Sequence, residues 1–346
     1  MSVRVLQAMA GGPQGGAEEF FARLCIGLHR AGLDQRVAIR RHPERAARLR
    51  AAGIEPAEFA FGGPLDIGTR RAMRRYVAAH EPDVVLTWMN RATRFCPSPA
   101  RGRGFVHVGR LGGYYDLKYY RRCRHLIGNT RGIVAYLRRS GWPAERTHYL
   151  PNFVSGETAA PASRAALETP DEAPLLLALG RLHRNKGFDV LLRALADLDG
   201  VWLWLAGSGP AADDLRALAA RLEVAGRVRF LGWRRDVAAL LAAADALVCP
   251  SRHEPLGNVV IEGWAHGVPV VAAAAAGPAE LITDAATGLL VPVEDAAALA
   301  AALRRLLDSA DLGATLAAGG RAAYEAEFTE RAVVARYLDF FSRVAA

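Results

Sequence analysis

Short apolar runs of strand length alternate along the whole chain with stretches of helical periodicity, and that rhythm admits few folds. VRVLQAM, QRVAIR and DVVLTW in the first half, then LLLALG, VWLWLAG, VRFLG, ALVCP and VPVVAA in the second, read as buried strands. Strands separated by helices are joined by crossovers, so parallel βαβ units are expected rather than an antiparallel sandwich. At 346 residues, 51% of them hydrophobic, the chain has core enough for two such domains. LPNFVSGETAAPASRAALETPDEAP, rich in Pro, Ala, Ser and Thr and without periodicity, reads as the join between them. The expected division is a first doubly wound domain over 1–152, a linker over 153–173 and a second domain over 174–329.

Two segments of the second half carry chemistry. From Cys249 to Val271 the chain reads CPSRHEPLGNVVIEGWAHGVPVV, with Glu254 and Glu262 eight positions apart across a turn and a helix expected to start near Asn258. The first N–H groups of such a helix have no intrahelical partners and can face an anion, while a carboxylate accepts from vicinal hydroxyls. Alone, such a pair of glutamates is better explained by a solvated helix face or surface ion pairs. Upstream, LLLALGRLHRNKGFDVLLRAL reads as a strand, a turn with Arg181 and Lys186, and an amphipathic helix. The carboxyl end of a strand is where open α/β sheets bind ligands. A planar guanidinium and a point-like ammonium there suit the two phosphates of a diphosphate.

Gly180-Arg181-Leu182-His183-Arg184-Asn185-Lys186-Gly187 and the span from Glu254 to Glu262 resemble the G-R-L-x-x-x-K-G and E-x7-E signatures of the retaining GT-B glycosyltransferases of family 4. Further matches follow in order: Gly11 to Gly16 with Glu18, Leu150-Pro151-Asn152, Phe230-Leu231-Gly232, Ala244-Asp245, Pro250-Ser251, Gly267 to Val271 and Gly288 to Val291. The resemblance implies two Rossmann-like domains facing each other across a cleft, the first for acceptor and the second for a nucleotide sugar. It also implies a last helix, 330–346, that returns to the first domain, and Val333, Tyr337, Phe340 and Phe341 have the spacing for it.

The resemblance further implies a sugar moved from a nucleoside-diphosphate sugar to a glycan or glycolipid acceptor with retention at the anomeric carbon. Negative charge builds on the departing diphosphate, and Arg181 and Lys186 are the residues expected to stabilise it. Glu254 is expected to hold the sugar hydroxyls and Glu262 the ribose, with Gly180, Leu256, Gly257, Asn258 and Val259 around the donor. Trp233 and Arg234, in LGWRRDV, fall where relatives contact the base. UDP, GDP and ADP sugars all stand, UDP favoured. No metal and no tightly bound cofactor is expected, because two cations and helix amides can do a metal's work.

In GGPQGGAEEFF the glycines do not match G-x-G-x-x-G, and the next strand ends at Arg40-Arg41 where an acidic ribose ligand would stand, which disfavours NAD. Gly15 and Gly16 can instead present amides to a phosphate or sugar oxygen, or simply serve the turn. Glu18 there, with Arg110 and Asp116 in GRLGGYYD, is expected on the acceptor side. His107 in GFVHVGR is placed near the donor sugar by the resemblance, with a structural histidine at a strand end as the alternative.

Charge is shared unevenly. Residues 1–150 hold 26 Lys+Arg against 11 Asp+Glu, leaving 18 against 24 in the remaining 196, from totals of 44 and 35. A basic first half attracts anionic surfaces. Arg70, Arg71, Arg74 and Arg75 in TRRAMRRYVAAH, and Lys118, Arg121, Arg122 and Arg124 around Tyr119 and Tyr120, suit an anionic membrane surface, or else form a solvated face. MSVRVLQAMAGG reads as a first strand rather than a secretory signal, and no apolar run is long enough to span a bilayer. Cys25, Cys96, Cys123 and Cys249 show no metal or paired spacing. A cytoplasmic enzyme, peripheral on the inner face of a membrane and building lipopolysaccharide core, capsule or another surface glycan, is the reading. A nucleotide-sugar epimerase of the same fold, or a non-catalytic polyanion binder, are the alternatives; nucleic acid is not an expected partner.

Overall fold

The computed structural model describes residues 3–12, 15–63, 65–99 and 104–346, and these form two compact units, Met1–Phe153 with Glu330–Ala346, and Val154–Thr329. Pro13 and Gln14 of the glycine-rich segment lie outside the described residues.

Unit 1 is built on seven strands: β1 (Arg4–Met9), β2 (Asp34–Arg40), β3 (Ala57–Phe59), β4 (Val84–Trp88), β5 (Val106–Leu111), β6 (His125–Gly128) and β7 (Thr147–Tyr149). They run in the order β3-β2-β1-β4-β5-β6-β7, with every pairing parallel. Unit 2 holds β8 (Leu175–Leu179), β9 (Trp202–Ala206), β10 (Val228–Gly232), β11 (Ala246–Cys249), β12 (Val270–Ala273) and β13 (Leu289–Val291) in the order β10-β9-β8-β11-β12-β13, again all parallel. In both sheets the strand order reverses beside the first strand of the unit, a topological switch point.

The strands are apolar at nearly every position because both faces of each sheet are covered. In unit 2, Leu176, Ala178, Leu203, Leu205 and Val248 enter one core. Their sequence neighbours Leu175, Leu177, Leu179, Trp204 and Leu247 enter the other. Helix Glu330–Ala345 belongs to unit 1: Val333, Tyr337, Phe340 and Phe341 join Phe20, Phe21, Leu24 and Trp88 in its core. The segment read from composition as a linker is not a loose tether. Val154 is buried in unit 2, Ala162 N donates to Ala239 O at 2.9 Å, and the Arg164 guanidinium donates to the carbonyls of Asp171, Ala173 and Ala243. Lack of periodicity marks irregular backbone, and irregular backbone packs wherever its polar groups find partners.

Candidate active site

In unit 2 the loops at the carboxyl ends of β8 and β11 are drawn into one cluster. After β8 the chain turns through Gly180 (φ 145°) and a short 3-10 turn, Arg184–Lys186, to Gly187 (φ 65°), which precedes helix Phe188–Ala196. Backbone bonds tie this turn to its neighbours: Gly180 N to Ala206 O and Leu182 N to Ser208 O, both 3.0 Å, and Arg252 N to Asn185 O at 2.9 Å. Two close approaches require glycine. A Cβ on Gly187 would fall on the Pro250 carbonyl, and one on Gly207 (φ 152°) on the Gly180 carbonyl.

The consequence is that Lys186 Nζ donates to Glu254 Oε2 with both side chains mostly buried, 24% and 12% exposed. Burial works against the Lys186 ammonium, but the charge and hydrogen bond of Glu254 outweigh it, aided by Cys249 and Glu262, and its pKa lies above the ordinary value. Both carboxylates of the motif are therefore within electrostatic reach of this one cation. Glu254 Oε1 also accepts from Gly257 N at 3.3 Å, where the chain turns (φ 84°) into helix Asn258–Ala265. Glu262 lies on that helix, half-buried, its carbonyl accepting from the His266 ring at 2.9 Å. Arg181 is exposed at the mouth of β8; Leu256 is buried, and Asn258 and Val259 are half-buried at the helix start. Trp233 and Arg234 lie two strands from β8, at the end of β10. Trp233 is 57% exposed, and Arg234 donates twice to Asp236, at 2.7 and 2.5 Å.

Sequence reading missed the group that holds these loops together. Arg252 donates to Asp189 at 2.6 and 2.7 Å, to Glu294 at 2.5 Å and to the Arg184 carbonyl at 2.9 Å. It spans the turn carrying Lys186 and the loop carrying Glu254. The hydrogen bonds from Arg252 hold the Asp189 carboxyl below its usual range. Arg252 lies just outside the span from Glu254 to Glu262, so the signal available was its place two residues before Glu254 and the acid Asp189 three after Lys186.

In unit 1 the expected residues part company. His107 is the second residue of β5, not at its carboxyl end, and is 3% exposed. Its Nε2 bonds Thr87 Oγ1 at 2.9 Å, and burial pushes its pKa down to about 4. It is a neutral core histidine. Arg110 also faces inward, 2% exposed, its guanidinium 4.2 Å from the Trp88 ring centroid and 4.8 Å from that of Phe20. It donates to Tyr337 Oη at 2.8 Å and Asn152 Oδ1 at 2.5 Å, which makes it a fastener for the last helix rather than a surface contact. Asp116 is paired with Lys118 at 2.6 Å. Gly15 and Gly16 precede and open helix Gly16–Arg30, and Glu18 folds back so that its Oε1 accepts from Gly12 N at 2.7 Å. All four cysteines are buried and free, and among the described residues no three His, Cys, Asp or Glu side chains gather as metal ligands.

Comparison with known proteins places this arrangement. Residues 14–157 match the model described as Glycosyltransferase Family 4, and residues 173–309 that described as Glycosyl transferases group 1. The lipopolysaccharide core biosynthesis glycosyltransferases LpsD and LpsE of Rhizobium meliloti (strain 1021) are 38% and 36% identical to it. LpsD aligns over 96% of both chains, LpsE over 96% of this chain and 97% of its own. Among solved structures, HepE of Anabaena, in complex with UDP and glucose, superposes over 99% of this chain and all of its own with a TM-score of 0.83 at 22% identity. WaaG, a glycosyltransferase involved in lipopolysaccharide biosynthesis, does so over 98% and 99% with a TM-score of 0.72 at 21% identity. At those identities the likeness shows the fold, the GT-B type. With both halves matched and relatives aligned almost end to end, the chain belongs to the family 4, group 1 glycosyltransferases.

Proposed function

We propose that this glycosyltransferase moves a sugar from a nucleoside-diphosphate sugar to a lipopolysaccharide-core or related cell-surface glycan, with retention of anomeric configuration. The observation that carries the reading is the meeting of Lys186, Glu254 and Glu262 at the carboxyl ends of β8 and β11. Lys186 spends one of its three donors on Glu254 and keeps two for phosphate oxygens. With Arg181 it stabilises the diphosphate as the bond from the anomeric carbon to phosphate oxygen breaks. The acceptor oxygen attacks from the same face, and its proton passes to the leaving phosphate. Glu254 holds sugar hydroxyls and Glu262 the ribose, while Trp233 and Arg234 border the base. These two cations supply the charge a metal ion would otherwise bring. UDP is the favoured nucleotide: HepE, of like fold, is solved with UDP and with UDP-glucose.

The acceptor belongs to unit 1, and an anionic membrane surface is the place where it is met. Arg71, Arg74 and Arg75 are exposed on helix Ile67–His80, whose start carries Leu65 and Ile67, 90% and 58% exposed. Cations beside protruding aliphatic side chains match anionic headgroups over acyl chains. No helix among the described residues is long and apolar enough to cross a membrane.

The test is thermal stabilisation by UDP-, GDP- and ADP-sugars, repeated on Lys186→Ala and Glu262→Ala. A shift confined to one nucleotide and lost in both variants supports the reading. A folded chain that no nucleotide stabilises overturns it.

A further inference from the structure

Helix Asn258–Ala265, which carries Glu262, is eight residues long, and the last carbonyls of so short a helix have no partner within it. They are met from outside. The Ala265 carbonyl accepts from Arg321 Nη1 at 2.6 Å, the Gly263 carbonyl from Val268 N at 2.9 Å and the Trp264 carbonyl from Gly267 N at 3.2 Å. The same end of the helix gathers both passages by which the chain enters and leaves unit 2. Tyr324 Oη donates to the carbonyl of Val154, the first residue of the unit, at 3.2 Å. Trp264 packs against Phe328, next to the last, with ring centroids 6.1 Å apart. Gly320 leaves the space that the indole fills: a Cβ there would lie 2.2 Å from Trp264 Cδ1.

One contact of the set is unlike the rest. His266 stands at the C-cap, its Nδ1 2.9 Å from the Glu262 carbonyl and its Nε2 3.2 Å from the Glu157 carbonyl. Glu157 is 109 positions away, close to the start of unit 2, on exposed backbone without regular structure. Carbonyl oxygens only accept, so the two bonds coexist only when each ring nitrogen carries a hydrogen, as in the imidazolium. A neutral ring keeps one bond and turns a bare nitrogen toward the other oxygen, lone pair against lone pair. The charged groups on the elements that meet the ring are Glu262 on its own helix, Glu157, and Arg321 with its partner Glu325 at 2.7 Å on helix Ala310–Glu327. Gly267 to Pro269, which follow His266, bring none.

We infer that His266 is a positioning residue for the donor: protonated, it ties the last turn of the Glu262 helix to the segment at Glu157, and neutral, it releases that tie. The inference rests on the reading of Glu262 as the ribose ligand given above. Glu262 is the fifth of the eight residues, so play in the last turn displaces its carboxylate, and hydrogen bonds weaken steeply as their angle opens. His266 acts through Glu262 and takes no part in bond breaking, so donor affinity is the quantity it governs.

The experiment is titration calorimetry of the full chain with UDP-glucose, GDP-mannose and ADP-glucose, diphosphate diesters whose phosphates do not titrate near neutrality. Kd for the tightest of the three is measured at about pH 6 and about pH 8, spanning the range in which histidine ordinarily changes charge. The wild type is compared with His266→Asn and His266→Gln, whose amide nitrogens stand near the places of Nδ1 and Nε2. The ratio of Kd at pH 8 to Kd at pH 6 is the reading, because the variants cancel what other groups, such as His183, contribute to it. The wild-type ratio is expected to exceed that of both variants by about three- to tenfold, the worth of one hydrogen bond. His266→Gln, which offers Glu157 a donor that never titrates, should bind more tightly than His266→Asn at pH 8. Equal ratios in all three proteins, or variants that bind as weakly as each other and equally weakly at both pH values relative to the wild type, overturn the inference and leave the transferase standing. A folded wild type that binds none of the three sugars overturns the donor reading itself.

Discussion

Lys186 and Glu254, 68 positions apart, share a hydrogen bond where β8 and β11 end side by side. Parallel pairing of those strands brings the two loops together, and the clamp of Arg252 on Asp189 and Glu294 fixes their spacing. Replacing Lys186 by Ala is expected to lower kcat/KM by a factor on the order of 10²–10³, the range for removing one group that stabilises developing charge. Steady-state kinetics with the fold checked by circular dichroism measures it.

The same pair has a pH signature. The Lys186 pKa is raised above 10.5, so the stability it contributes is complete below that value and fades as pH rises through the folded-state pKa. Glu254→Gln is expected to cost about 1.5–3 kcal/mol, the range for hydrogen bonds to charged groups. The gap in Tm between variant and wild type should stay constant from neutral pH upward and close only above pH 10.5. A gap that closes near neutrality would show that another group titrates.

Arg252 touches no expected substrate group, yet its loss should reach the chemistry. Arg252→Lys keeps the charge and gives up the paired bonds to Asp189. Turnover is expected to fall about tenfold or more, because small displacements of positioned groups are costly, while thermal stability falls by only a few degrees. Unchanged turnover would show that Lys186 and Glu254 hold their places without it.

Gly207→Ala is expected to abolish nucleotide stabilisation, since its Cβ would strike the Gly180 carbonyl and its φ is 152°. Gly226→Ala, with nothing within 4 Å of its Cβ, is the control and should change stability by less than about 1 kcal/mol.

Two histidines make unit 1 sensitive to acid. Burial holds His107 and His148 at about pKa 4, against an ordinary 6.5, and His125 bonds His148 across β6 and β7 at 3.0 Å. The unfolded chain binds these protons first, so stability is full above pH 6.5 and falls as pH drops toward 4. The slope is at most about 1.4 kcal/mol per pH unit for each group. His148→Phe, beside Phe340, should flatten the Tm profile in that window.

Much of this was legible in the sequence, for identifiable reasons. Parallel strands buried on both faces write continuous apolar runs, so β8 and β11 stand out unaided, and glycines at enforced close approaches mark the loops between. Burial of a single polar residue is another matter. His107 lies on a strand whichever end it occupies, and only the pairing of Val85 with His107 puts it in the core. Arg110 has its partner Tyr337 227 positions away. Arg252 was missed because a clamp is a relation among three segments, and no one segment carries its signature.

Helix Glu330–Ala345 fills the core of unit 1 although the rest of that unit ends at Phe153. On the ribosome, unit 2 is therefore synthesised whole while unit 1 still waits for its last piece. Until that helix emerges, Phe20, Phe21 and Trp88 lack the side chains that cover them, and the Arg110 guanidinium lacks Tyr337. The usual order, amino-terminal domain first, is expected to be reversed here. The basic half of the molecule is expected to reach its final form last, and a chain cut short within this helix is expected to lose packing in the domain farthest from the cut in sequence.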